Sequence, residues 1–378
     1  WPSRSDLTTE EQQQELVAIL DRAASLRMNA IIFQVRPEAD ALYASPYEPW
    51  SRYLTGKQGQ APNPVWDPLR FAVTEAHRRG LELHAWFNPY RAAFHRDSTT
   101  ARTHITHRRP DLVVPYSQYF WMNPGIPEVR RRTIRAVLDV VRRYDVDGVH
   151  IDDYFYPYPE TDASHQKIEF PDAKTHAAYR RAGGTLDRDD WRRRNVNTLV
   201  RELYAAIKDE KPWVKFGISP FGIWRPGVPP TTTAGLDQYA ELYADARKWL
   251  RDGTLDYMAP QLYWPILPPE QSYPVLLEWW VGENVKRLHR SAAHDTGRHR
   301  AGDPDHARDR RRVRSHSVQR QGSAAGSRQR GRAPGGGVRG AGPRSAIAVA
   351  RSRSAVQAAG ASAGRQHDRP GDDPVRAP

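Results

Sequence analysis

Apolar and polar positions along this chain follow two alternating periods. Leu16, Ile19, Leu20 and Ala23 are spaced as one helical face running to Leu26, and Thr8 with Glu11 has capping-box spacing at its start. Asn29 to Val35 reads as a strand. Asp67-Pro68 opens a second helix with N-cap and N1 chemistry, Gly80 closes it, and Leu81 to Phe87 forms the next strand. A helix from Pro127 to Tyr144 feeds a strand ending at Asp152. The pattern repeats as helix Asp190 to Lys208 with strand Val214 to Ser219, then helix Tyr239 to Leu250 with strand Leu255 to Leu262. A last helix spans Tyr273 to Leu288. Strands alternating with helices predict an α/β fold with a parallel sheet, and this spacing favours a (β/α)8 TIM barrel. The barrel reads as incomplete. One strand is expected before Trp1, and two should follow Leu288, where apolar periodicity stops.

Successive strand residues point to opposite faces, so parity sorts helix-facing from barrel-facing positions. Ile31, Phe33 and Val35 oppose Gln34 and Arg36. Leu83, Ala85 and Phe87 oppose His84, Trp86 and Asn88. Val149 and Ile151 oppose His150 and Asp152, Phe216 and Ile218 oppose Gly217 and Ser219, and Gln261 shares a face with Tyr263. In each strand the second face turns polar toward the C-terminal end, where barrel active sites lie.

Composition divides the chain. After Leu288 there is no Leu, Met, Phe, Tyr, Trp, Lys, Glu or Asn, and such a segment buries too little apolar surface to offset its chain entropy. Residues 291–378 carry 18 Arg against 7 Asp, a surplus of 11 within the chain's net +13, so residues 1–290 keep only +2. A nearly neutral body argues against a nucleic-acid partner. The expected organisation is a partial barrel over 1–288 and a disordered Arg/Ala/Gly-rich tail over 289–378. That tail reads as out-of-frame translation beyond about Arg287, since a basic arm would mix Lys with Arg and keep aromatics. No 18-residue apolar run is present to cross a membrane, and Trp1-Pro2-Ser3-Arg4 has no signal-peptide character. The absence of cysteine excludes disulfides and thiolate metal sites.

The densest chemistry lies in residues 147–157, Asp-Gly-Val-His-Ile-Asp-Asp-Tyr-Phe-Tyr-Pro. Adjacent carboxylates supply proton transfer and charge, and the rings that follow offer flat apolar faces for pyranose stacking. Asp152 faces the barrel interior, where a carboxylate is costly without a purpose or a partner. Asp153, of opposite parity, reaches the same pocket only if the chain turns. Asp147, before Gly148, reads as structural. Gln34 and Asn88 could each be satisfied amides, and Arg36 could pair with Glu38 or Asp40. Trp86, Trp224 and Trp264 could be packing. His84 and His150 read as hydrogen-bonded interior histidines rather than metal ligands, because no HExxH or acid-rich ligand set accompanies them.

Several stretches resemble the glycosyl-hydrolase-like family 10 barrels, bacterial envelope proteins of DUF187 type. They are Trp-Pro-Ser-Arg (1–4), Ile-Phe-Gln-Val-Arg-Pro-Glu-Ala-Asp-Ala-Leu-Tyr (32–43), Ser-Pro-Tyr-Glu-Pro-Trp-Ser (45–51) and Gly-Leu-Glu-Leu-His-Ala-Trp-Phe-Asn-Pro-Tyr-Arg (80–91). Residues 147–157 match too, with Gly-Ile-Ser-Pro-Phe-Gly-Ile-Trp-Arg (217–225) and Pro-Gln-Leu-Tyr-Trp (260–264). The resemblance covers about residues 1–288. It implies a TIM barrel acting on envelope glycan, peptidoglycan strands among them, in secreted or lipid-anchored and therefore extracytoplasmic proteins. A weaker likeness is to chitinase-type barrels, whose strand reads Asp-Gly-x-Asp-x-Asp-x-Glu. Here His150 takes the middle Asp position and Tyr154 the catalytic Glu position.

The expectation is cleavage of an N-acetylhexosamine-containing glycan by Asp152 and Asp153, possible substrate assistance included. Asp153 would be the general acid, and Asp152 would orient the acetamido group or stabilise oxocarbenium-like charge. Gln261 and Tyr263 would hydrogen-bond the sugar, and Trp86, Tyr154, Tyr156 and Trp264 would stack on it. Arg36, Asn88 and Arg91 would fix hydroxyl or lactyl carboxylate groups, with Gln34, His84 and His150 completing the pocket lining. No metal or organic cofactor is called for. The alternatives are a non-catalytic glycan-binding barrel or an inactive truncated product. Oligomeric state has no sequence signal.

Overall fold

A computed structural model describes residues 1–285 apart from Asp97 and Pro268, together with the backbone of 289–290 and 347–350. The rest of the Arg-rich tail lies outside the described residues.

The five expected strands form, and all run parallel. They are β1 (Ala30–Arg36), β2 (Glu82–Phe87), β6 (Gly148–Ile151), β7 (Lys215–Ile218) and β8 (Tyr257–Met258). Two short segments extend the sheet, β9 (His289–Arg290) beside β8 and β10 (Ile347–Ala350) beside β1. The seven-strand order is β10-β1-β2-β6-β7-β8-β9. Both added strands fall inside the segment expected to be wholly disordered, and they stand at the edges where the barrel was expected to lack strands.

Helices lie between the strands as the apolar spacing requires. Thr9–Ser25 starts with the full capping box of Thr8 and Glu11, and Pro68–Arg78 starts with Asp67 accepting from the Arg70 N–H. Pro127–Arg143 and Arg188–Glu210 present Val137, Val140, Val141, Leu199, Val200 and Leu203 to the sheet. Those side chains meet the predicted strand face of Phe33, Val35, Ala85, Phe87, Val149, Ile151, Phe216 and Ile218, all buried in one cluster. Each large apolar side chain buried here is worth about 1.5–3 kcal/mol against exposure. No helix among the described residues is long and apolar enough to cross a membrane.

Three local expectations are corrected. The helix expected over Tyr239 to Leu250 is two short ones, Gln238–Glu241 and Ala246–Asp252. Tyr243 between them takes a left-handed φ of 57°, and the Asp245 carboxylate restarts the helix by accepting from the Lys248 N–H. The strand expected over Leu255 to Leu262 is regular only at Tyr257–Met258, beyond which a single isolated bridge joins Gln261 to Phe221. A small antiparallel sheet was not expected at all: β3 (Arg91–Ala93), β4 (Val113–Tyr116) and β5 (Tyr119–Met122), in the order β3-β5-β4. Its hairpin turns on Ser117-Gln118 with Ser117 at φ 49°, a turn without the Asn-Gly or Asp-Gly pair that signals one in sequence.

The barrel-facing parity is filled by large residues over glycines. In one layer Gln34, Trp86, His150, Gly217 and Tyr257 follow one another across the register. Gly217 has no side chain because the Tyr257 ring occupies that space: a Cβ there would stand 1.9 Å from the ring. Gly148 likewise leaves room for His84, whose ring would lie 2.6 Å from a Cβ. Gly217→Ala is therefore expected to destabilise the fold by about 1–3 kcal/mol, from overpacking against a ring that cannot retreat. Gly235→Ala, where a Cβ meets nothing within 4 Å, is the control and should stay within about 0.5 kcal/mol. Urea unfolding midpoints of the two variants check this.

Candidate active site

Connections at the N-terminal ends of the strands are short. Those leaving the C-terminal ends are long, spanning 37–67 after β1, 152–172 after β6 and 219–237 after β7. The polar ends of the strands and these loops build the site.

At its centre Asp152 follows β6 and is 3% exposed. The Trp86 indole N–H donates to its Oδ2 at 3.0 Å, and the Asn88 amide donates to the same oxygen at 3.3 Å. The Tyr154 backbone N–H donates to Oδ1 at 3.3 Å. Burial, and then the charge of Asp153, push the Asp152 pKa up to about 7, while Arg91, Trp86 and the Tyr154 N–H pull against that rise. Asp153 is 2% exposed, and the Tyr158 hydroxyl donates to its Oδ2 at 2.5 Å. The bend that parity required does form, with the Phe155 N–H donating to the Asp153 carbonyl. Around the pair the rings of Tyr154 and Tyr158 meet edge to face at 5.2 Å, and Trp121 lies 6.4 Å from Tyr154. The Arg91 guanidinium sits 4.9 Å from the Tyr154 ring centroid and donates from Nε to the Pro37 carbonyl.

Other residues named from the sequence lie behind this centre. His150 donates or accepts at Ser219 Oγ through Nε2 and at the Tyr257 hydroxyl through Nδ1, both at 2.9 Å, and Trp86 stands edge-on to its ring. His84 lies one layer deeper, between Tyr257 and Glu82. Gln261 donates to the Ser219 carbonyl at 3.0 Å, and Gln34 is half-buried in register with Trp86. No group of three His, Cys, Asp or Glu suited to a metal ion occurs among the described residues.

Several substrate assignments are corrected by the geometry. Arg36 is fully buried and pairs neither with Glu38 nor with Asp40: its Nε and Nη2 both donate to Glu48, and its Nη1 donates to the Asn88 carbonyl. Its donors are spent inside the protein. Asn88 is equally enclosed, with its amide on Asp152 and its Oδ1 accepting from the Tyr90 and Arg91 N–H groups. It positions the carboxylate and is closed off from solvent. Tyr156 is 1% exposed, packed edge to face on Phe170 and Tyr243 beneath Arg192. His84 is walled in below the site. Trp264, half-buried, packs edge to face on Phe221, and Tyr263 is 64% exposed, placements that leave both able to meet a ligand.

Tyr158, Glu48 and Tyr257 were not marked in the sequence, and Glu38 was named only as a partner for Arg36. Tyr158 stands one residue past the quoted motif, in the same aromatic run. Tyr257 shares the parity of Gln261 and was within reach of the same rule. Glu48 has no local signal, since its partner is a strand residue reached through a loop. Glu38, 3% exposed, has its carboxyl pKa raised by burial and then by Asp40, against the pull of Arg91.

A family model described as glycosyl hydrolase-like 10 matches residues 2–290. The glycosyl hydrolase YngK of Bacillus subtilis (strain 168) is 46% identical over 293 residues, covering 76% of this chain and 56% of that protein. The glycosyl hydrolase DigH of Escherichia coli (strain K12) is 40% identical over 286 residues, covering 71% of this chain and 62% of that protein. The chain thus spans less than two thirds of the length of these relatives. Among solved structures, the glycoside hydrolase domain of PgaB (BpsB) from Bordetella bronchiseptica superposes with a TM-score of 0.46 at 13% identity, over 74% of this chain and 76% of that one. The chain belongs to the glycosyl hydrolase-like 10 family.

The raised pKa of Asp152 has a consequence for stability with a definite sign. Between its ordinary value of 3.8 and about 7, the folded protein keeps a proton that the unfolded chain releases, so stability falls as pH rises through that window. Asp152→Asn removes the titration. Wild type is expected to lose stability relative to this variant by a few kcal/mol between pH 4 and pH 7, read from urea midpoints at each pH. A difference that does not change with pH would show that Asp152 titrates normally. Arg36→Met, which strands Glu48 as a buried unpaired charge, should cost about 3–5 kcal/mol at neutral pH in the same assay.

Proposed function

We propose that this member of the glycosyl hydrolase-like 10 family hydrolyses glycosidic bonds in an N-acetylhexosamine-containing glycan of the bacterial envelope, with peptidoglycan strands as substrate, in an extracytoplasmic compartment. The observation that carries the reading is the Asp152–Asp153 pair. These are two adjacent carboxyls shut from water at the end of a parallel strand, one of them holding a proton near neutral pH.

The reading exchanges the two acid roles expected from sequence. Asp152 is the proton donor to the leaving oxygen, because burial and its neighbour raise its pKa to the operating range of an acid catalyst. Asp153 is held by the Tyr158 hydroxyl, a bond that strengthens when the carboxylate carries charge. It orients the acetamido group or stabilises the positive charge that develops on the sugar. Trp86 and Tyr154 offer ring faces, and Arg91 supplies a fixed cation suited to a lactyl carboxylate. No step in this scheme routes through a metal or an organic cofactor.

Release of reducing ends from peptide-free glycan strands tests the proposal. Asp152→Asn and Asp153→Asn are each expected to lower turnover by about 10²–10⁴-fold. In wild type the rate should fall as pH rises above about 7, where Asp152 gives up its proton, and that limb should vanish in Asp152→Asn. Full turnover by both variants would sink the assignment. Saturable glycan binding by wild type with no reducing ends released would make the chain a glycan-binding barrel instead.

A further inference from the structure

A line of hydrogen bonds runs up the inside of the sheet, from its N-terminal edge to the site. Lys215 Nζ contacts both oxygens of Glu82, at 2.7 and 2.6 Å. Glu82 Oε2 faces His84 Nε2 at 3.1 Å, and His84 Nδ1 meets the Tyr257 hydroxyl at 2.7 Å. The same hydroxyl meets His150 Nδ1 at 2.9 Å, and His150 Nε2 meets Ser219 Oγ at 2.9 Å. Ser219 is half-buried and hangs from β6 through its N–H on the Ile151 carbonyl, one residue before Asp152. His84, His150 and Tyr257 are each 3% exposed or less, so the middle of the line is shut from bulk solvent.

Counting protons fixes how this line can work. The Tyr257 hydroxyl has one hydrogen and lies between two Nδ1 atoms, so it donates to one and must accept from the other. The Glu82 carboxylate keeps a proton on His84 Nε2. While His84 is neutral, its Nδ1 accepts from Tyr257, Tyr257 accepts from His150 Nδ1–H, and His150 Nε2 accepts from the Ser219 hydroxyl. Ser219 then offers a ligand only lone pairs. One added proton reverses every bond. It enters at Ser219, whose hydrogen passes to His150 Nε2. The His150 Nδ1 hydrogen passes to Tyr257, and the Tyr257 hydrogen passes to His84 Nδ1. His84 now carries two protons, His150 and Tyr257 remain neutral, and Ser219 holds a hydrogen free to donate into the site.

We propose that Tyr257 is a positioning residue that carries the charge state of His84 to Ser219, switching that hydroxyl from acceptor to donor at the mouth of the site. The column accommodates one proton only. Burial, and then the charge of His84, hold His150 neutral with its pKa down at about 3, and burial raises Tyr257 well above the ordinary phenol value. The other charged groups facing the column are Lys215 and Glu82 at its base and Asp256 beside Tyr257, the last paired with Lys208 at 2.6 Å. The ligand half of the inference rests on the strand ends being the glycan site. The column itself does not depend on that reading.

Imidazole nitrogen NMR of the full ¹⁵N-labelled chain across pH 5–8 tests the column without any substrate, so its outcome is separate from that of the glycosidase assay. His84→Gln and His150→Gln spectra assign the two rings. The proton on His150 is expected on Nδ1 while His84 is neutral and on Nε2 once His84 is charged, with both changes sharing one midpoint. In Tyr257→Phe the His150 tautomer should stop following His84. In Glu82→Gln, which replaces the carboxylate facing His84 Nε2, the two changes should still share one midpoint. A His150 tautomer that stays constant through the His84 titration, or midpoints that separate in Glu82→Gln, would overturn the inference.

Discussion

A guanidinium and a carboxylate both closed off from bulk solvent, Arg36 and Glu48, hold the upper end of this sheet together. Removing two charges from solvent is expensive, and the cost is met only if each remaining donor and acceptor is used. Arg36 uses its donors on Glu48 and on the backbone at Asn88, which pins the loop after β1 against the end of β2. Asn88, fixed by its carbonyl, then turns its side-chain amide onto Asp152 and its Oδ1 onto the N–H groups that lead to Arg91. A structural ion pair two contacts from the acid pair therefore decides where the Asp152 carboxyl stands.

The enclosure that makes this precise also sets the chemistry. Asp152 sits among donors that favour its charged form, yet burial beside Asp153 outweighs them and moves its pKa to about 7. Donors determine the direction in which the carboxyl points, and desolvation determines whether it holds a proton. A more open strand end would have kept the same residues as two ordinary surface carboxylates. The aromatic ring of Tyr154, Tyr158 and Trp121 supplies that enclosure while leaving flat faces of the kind sugars stack on. Below, the glycines at 148 and 217 make room for His84 and Tyr257, so the layer that carries hydrogen bonds upward is itself a packing solution.

Much of this was legible in the sequence. Period-two alternation located all five strands, and parity assigned Phe33, Phe87, Ile151 and Ile218 to the helices and His150 and Asp152 to the interior, because a strand side chain has only two directions to choose from. The same rule failed where the backbone left the strand. It missed Tyr158 in the loop after Asp153, and it ran the last strand on to Tyr263, where only an isolated bridge at Gln261 continues the pairing and Tyr263 is 64% exposed. The helix expected over Tyr239 to Leu250 was a similar overextension, since apolar spacing does not reveal a left-handed Tyr243.

The sequence by itself determined the parallel β/α order, the polar ends of the strands and the two adjacent acids, since all of these follow from local periodicity and residue type. Which polar side chains meet a ligand and which are consumed inside the protein was decided only by the tertiary structure. Arg36, Asn88 and Tyr156 look like binding residues in the sequence and are enclosed in the fold, while Tyr158 and Tyr257 contact the acids and the histidines without having been marked. The physical reason is that burial and hydrogen-bond partnership depend on residues dozens of positions away. A pattern read along one chain fixes direction but not neighbours.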